Sequence, residues 1–164
     1  MSKYVTYSLL AIILLLATVV AIETLGGQPM GLFSGTRPEQ LGYQDGHFKP
    51  PAKRPNSVSS TVPKEDTHYI APIAFSGDAT AAWVKLVGVV RAQPRVSIVS
   101  ELSDYLYAEF KSPRMGFVDD VEFALDAKAG VIQVRSASRL GYRDFGVNRQ
   151  RIEAIRAALN TAAH

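Results

Sequence analysis

The stretch Asp119–Arg139, DDVEFALDAKAGVIQVRSASR, decides the fold. In its first half Val121, Phe123 and Leu125 alternate with Asp120, Glu122 and Ala124, and in its second half Ile132, Val134 and Ser136 alternate with Gln133 and Arg135. A period of two is that of a strand with two unlike faces. The short polar run Ala127–Gly130 between the halves is a turn, so the segment predicts a hairpin. That turn sets Leu125 opposite Ile132, Phe123 opposite Val134 and Val121 opposite Ser136, and on the other face it sets Glu122 opposite Arg135.

Upstream of the hairpin, Tyr105–Lys111 alternates Leu106, Ala108 and Phe110 against Tyr105, Tyr107 and Glu109, and Arg95–Val99 reads as a further strand. His68–Phe75, HYIAPIAF, is a strand candidate. It is followed by Ser76-Gly77-Asp78 as a helix start and by Ala82, Trp83, Leu86, Val87 and Val90 at helical spacing over residues 79–92. Downstream, Asn148 is placed to cap a helix whose apolar stripe is Ile152, Ile155 and Leu159. Strand, helix, four strands, helix is the order of an α+β domain: a small antiparallel sheet with two helices packed on one face, in a helix-grip or TBP-like (TATA-box-binding-protein-like) arrangement over residues 65–161.

Before this domain the chain changes character twice. Residues 4–22, YVTYSLLAIILLLATVVAI, carry no charge, and at about 1.5 Å of rise per residue they match a bilayer core of about 30 Å. This predicts an N-terminal transmembrane helix over residues 1–23. Lys3 would stay in the cytoplasm and the remainder would be extracytoplasmic, periplasmic in a bacterium. The alternative is export with cleavage of a signal peptide, for which Val19 and Ala21 offer small residues. Residues 24–64 are rich in Gly, Pro and Ser and read as an irregular strap. Its scattered Phe33, Leu41, Tyr43 and Phe48 predict that parts of it pack on the domain.

Without cysteine there is no disulfide and no thiolate chemistry. The net charge of +3 is concentrated: residues 135–156 hold six arginines against Asp144 and Glu153. A nucleic-acid binder would spread its positive charge more widely, so none is expected as a partner. The arginine segment, RSASRLGYRDFGVNRQR (135–151), starts on the last strand, crosses a loop with Gly141 and Gly146, and ends on the first turn of the last helix. Arginines beside a glycine loop and a helix start suit an anion, which nominates Arg135, Arg139, Arg143, Arg149, Arg151, Ser138 and Asn148 as a site for an anionic ligand or an acidic partner. The opposing reading makes the same arginines structural clamps, with Asp120 and Glu122 across from Arg135 and Arg139 and with Asp144 holding the loop.

No catalytic set is present, no cofactor fingerprint appears, and His47, His68 and His164 stand too far apart to suggest a metal. Trp83 and Tyr107 are candidates for lining a pocket between the first helix and the sheet. The functional expectation is a membrane-anchored interaction or accessory module, a subunit of a membrane protein complex or a binder of acidic partners through the 135–151 loop. The alternative is a carrier of a small ligand or lipid, or an enzyme, with that pocket.

Four motifs taken together, NSVSS (56–60), AW (82–83), VDDVEF (118–123) and the arginine segment, resemble the bacterial and plastid family known as domain of unknown function 1499. The resemblance spans roughly residues 31–160. It implies a small, membrane-anchored or exported protein and supplies no catalytic residue. Members of that family often carry cysteine where this chain has Ser57, which removes any thiol role here.

Overall fold

The computed structural model describes residues 3–25 and 33–161. His164 and part of the strap, residues 26–32, lie outside the described residues. In chain order the elements are α1 (Lys3–Leu25), β1 (Tyr43–Gln44), β2 (His47–Phe48), β3 (Ser57–Ser59), β4 (Ile73–Ala74), α2 (Ala79–Arg91), β5 (Val96–Glu101), β6 (Tyr105–Lys111), β7 (Val118–Asp126), β8 (Val131–Ser138) and α3 (Val147–Thr161). The main sheet runs β3-β8-β7-β6-β5, with β4 also paired to β8, and every pairing is antiparallel.

The β7–β8 hairpin has the register its sequence dictates: Leu125 faces Ile132, Phe123 faces Val134, Val121 faces Ser136 and Glu122 faces Arg135. Asp126 accepts the N–H of Ala129 at 3.0 Å to fold the turn, and Gly130, at φ 67°, takes its left-handed position. One face of the sheet presents Leu106, Ala108, Phe110, Val121, Phe123, Ile132 and Val134 to α2 and α3. Trp83, Leu86 and Val90 of α2 and Ile152, Ile155 and Leu159 of α3 close this core, each helix contributing the stripe that its three- and four-residue spacing defines. Asp78 caps α2 by accepting the N–H of Ala81 at 2.7 Å.

Four expectations are corrected. The transmembrane helix is overturned: among the described residues no helix is long and apolar enough to cross a membrane. Residues 68–75 do not form one strand. Pro72 interrupts them, leaving only β4 and a parallel bridge between Tyr69 and Ser59. The strap is not purely irregular, because it contains the β1–β2 hairpin and then β3, which joins the sheet beside β8. Asn148 does not cap α3 from outside. It lies within the first turn, and the carboxylate that takes the free amides is Asp144's, accepting from Gly146 at 3.1 Å and from Asn148 at 2.9 Å.

Candidate functional site

The second face of the sheet is as polar as the first is apolar. Strand alternation sends Tyr105, Tyr107 and Glu109 of β6, Asp120 and Glu122 of β7, and Arg135 of β8 to this side, with Arg139 following just beyond the end of β8. Burial is nearly complete for Glu122, Asp120 and Tyr107, because the strap lies over them. Arg37 donates to Glu109 at 2.6 Å, the N–H of Gly42 donates to Glu122 at 2.8 Å, and Phe33 stacks against Phe117 with ring centroids 5.1 Å apart. Gly35 lies so close to the sheet that a Cβ on it would come within 3.0 Å of Arg139.

Two clusters share this covered face. Arg135 donates to Glu122 at 2.7 Å and to the carbonyl of Lys49 at 3.1 Å, and Tyr105 donates to the same carboxylate at 2.8 Å. Arg139 grips Asp120 through two nitrogens and also donates to Tyr107 and Glu109. Tyr107 in turn donates to Asp120 at 2.5 Å. Arg37, Arg135 and Arg139 thus balance Glu109, Asp120 and Glu122. Burial, reinforced by the neighbouring Glu122, pushes the Tyr105 hydroxyl well above the ordinary phenol range, and burial with the Asp120 hydrogen bond does the same for Tyr107. Both stay protonated at neutral pH and act as donors. Burial works to raise the Glu109 carboxyl, but the hydrogen bonds from Arg37 and Arg139 outweigh it and hold the group below its ordinary value. Every charge on this face has its counter-charge, and the arrangement is a clamp between sheet and strap.

The arginine segment continues from this clamp around the end of the sheet. Arg151 donates to Asp119 at 2.5 Å, and its guanidinium sits 4.9 Å over the Phe110 ring. Asn148, fully buried, is the hub: its amide nitrogen donates to the Asn56 carbonyl, the Ser138 hydroxyl and the Asp144 carboxylate, each at 2.9 Å. Its oxygen accepts from Ser136 at 2.5 Å and from Arg151 at 2.8 Å. Asn56, at the entrance to β3, ties the far side of the loop by donating to the Gly141 carbonyl at 3.0 Å. Burial tends to raise the Asp144 carboxyl, yet the amides of Asn148 and Gly146 prevail and lower it.

The proposed anion residues therefore do not converge on a common point. Arg135, Arg139 and Arg151 are spent on internal carboxylates, Ser138 and Asn148 on the hub, and Arg149 donates to the carbonyls of Tyr69 and Thr67 at 2.7 and 3.3 Å. Arg143 alone of the five stands exposed with neither an ion pair nor a side-chain hydrogen bond among the described residues. Trp83 and Tyr107 do not share a pocket either. Trp83 lies in the core on the helix side, its indole donating to the Leu102 carbonyl at 3.1 Å, while Tyr107 belongs to the opposite face.

What this frame holds up was not read from the sequence. Between Ser138 and Asn148 the loop displays Leu140, Tyr142, Phe145 and Val147 to solvent, with Tyr142 66% and Phe145 89% exposed. Phe145 also takes a left-handed backbone, φ 54°, which a bulky residue adopts only at a cost of about 1–2 kcal/mol. Four apolar side chains around Arg143, on a loop fixed from beneath by a buried hub, form the candidate site. The only sequence signal for it was the density of apolar residues in a loop otherwise read for its arginines.

The family model described as a protein of unknown function, DUF1499, matches residues 47–159, more than half of the chain, and the chain belongs to that family. No curated protein and no solved structure matches it.

Proposed function

We propose that this member of the DUF1499 family is an interaction module without a reaction of its own, docking onto a protein partner through the loop between β8 and α3. The reading rests on one observation: Phe145 is almost fully exposed, in a strained backbone, in the turn that leads into α3, in a loop whose base is buried and rigidly hydrogen-bonded. Solvation and strain both oppose that placement, and a partner pocket that receives the ring would offset them. Leu140, Tyr142 and Val147 supply an apolar surround, and Arg143 selects a pocket with an acidic rim. The charges that suggested an acidic partner are thus reduced to Arg143, and the apolar side chains take over most of the binding. We further place the module outside the cytoplasm, because the uncharged run after Lys3 has the composition of an export signal.

The test is native mass spectrometry of the protein isolated gently from its own cells, beside a Phe145→Ser/Arg143→Ser variant whose circular dichroism matches the parent. A stoichiometric partner subunit present with the parent and lost in the variant supports the proposal. A partner retained in the variant, or a parent that emerges alone, overturns it.

A further inference from the structure

A second feature stands apart from the loop. Where β4, α2 and the C-terminal end of α3 meet there is an open cleft of about 530 Å³, within the range of small-molecule sites. Ile73, Phe75, Ile132 and Leu159 give it apolar walls. One edge is the α2 stripe Asp78, Ala81, Ala82 and Lys85, where alanines at the middle positions leave the room that larger side chains would fill. Lys85 is half-buried on this wall and has no ion-pair or hydrogen-bond partner among the described residues. Other lysines that meet no carboxylate, such as Lys49, Lys53, Lys64 and Lys128, are exposed, whereas Lys85 is half-buried at the edge of a cleft. Asp78, the other charge on the stripe, is engaged at the helix cap and lies seven residues away, about 10 Å along the helix axis.

We infer that the cleft binds a small amphipathic monocarboxylate, its apolar chain against Ile73, Phe75, Ile132 and Leu159 and its carboxylate on Lys85. Charge complementarity selects the ligand class. An apolar cleft alone would accept a neutral chain equally well, whereas the unpaired ammonium at its edge favours an anion. Asp78 keeps that anion to the Lys85 end and disfavours a dicarboxylate spanning the cleft.

The probe is octanoate, titrated into the full chain and followed by nitrogen–proton correlation NMR, with neutral octanol as the control. Expected are saturable binding at one site, shifts centred on residues 73–85 and 159–160, and an affinity for octanoate about tenfold above that for octanol. Lys85→Met should remove that preference while leaving octanol binding unchanged. Ala81→Phe, an exposed position that fills the cleft, should abolish both. Equal affinity for acid and alcohol in the parent overturns the charge assignment. Shifts confined to other parts of the chain, unsaturable binding, or binding that survives Ala81→Phe overturns the site.

Discussion

Ser57 carries the plainest residue-scale consequence. It is buried in β3, and its hydroxyl has no hydrogen-bond partner. An unsatisfied buried polar group costs about 1–3 kcal/mol, whereas a thiol or methyl at the same place carries little such penalty. Ser57→Cys and Ser57→Ala should each raise stability by about 1 kcal/mol, seen as a melting temperature about 4 °C higher. A fall in melting temperature would mean that the hydroxyl does find a partner. Phe145 is the opposite case, strained and exposed. Phe145→Gly should leave stability unchanged or raise it by up to about 1 kcal/mol, since glycine takes the left-handed region freely, yet it should abolish partner capture. Stability lost together with binding would instead assign the ring a folding role. Composition and spacing single out neither residue, and Ser57 is marked only by the family resemblance. A serine in a polar strap and a phenylalanine in a loop look ordinary until burial and backbone are known.

Among the elements, the β8–α3 connection is held by Asn148, whose side chain joins Asn56, Ser136, Ser138, Asp144 and Arg151. Asn148→Ala removes the acceptor of the buried Ser136 hydroxyl, which keeps only the bond it accepts from Arg151, takes one acceptor from Arg151 and opens a void, for a loss of about 2–4 kcal/mol. Urea unfolding of the variant measures it, and a loss under 1 kcal/mol would show that the hub is dispensable. Arg139→Met leaves Asp120 without a counter-charge beneath the strap, while Glu109 keeps Arg37, and should cost about 3–5 kcal/mol in urea unfolding, as breaking one side of a buried pair does. The register that sets Glu122 against Arg135 was legible because alternation and turn length fix a local hairpin. The pairing of β3 with β8 was not, because Ser57–Ser59 has a single apolar residue and meets a strand some 80 residues later in the chain. The same limit hid Arg151 on Asp119 and Arg37 on Glu109, contacts between segments that only the fold brings together.

At the scale of the whole molecule, the sheet is covered by two unlike layers. Helices seal one face through apolar contact, and the strap covers the other through Arg37, the Gly42 amide and the Phe33–Phe117 contact. The two covers respond differently to acid. Hydrophobic contact is indifferent to protons, whereas Glu109 sits below its ordinary value of 4.5 in the fold. A carboxyl depressed by folding stabilises the native state fully above its unfolded value, and that contribution drains away as the pH falls toward its folded value. Arg37 is 56% exposed, so its pair with Glu109 contributes at most about 1 kcal/mol, enough to hold a strap but not a core. Between pH 7 and about 5 the strap amides at residues 33–44 should therefore keep their hydrogen-exchange protection, and below about 4.5 they should lose it before the β7–β8 amides do. Arg37→Gln should produce the same early loss already at pH 7. Strap and sheet amides deprotecting together at every pH, in parent and variant alike, would make the strap one cooperative unit with the core and not a separable layer.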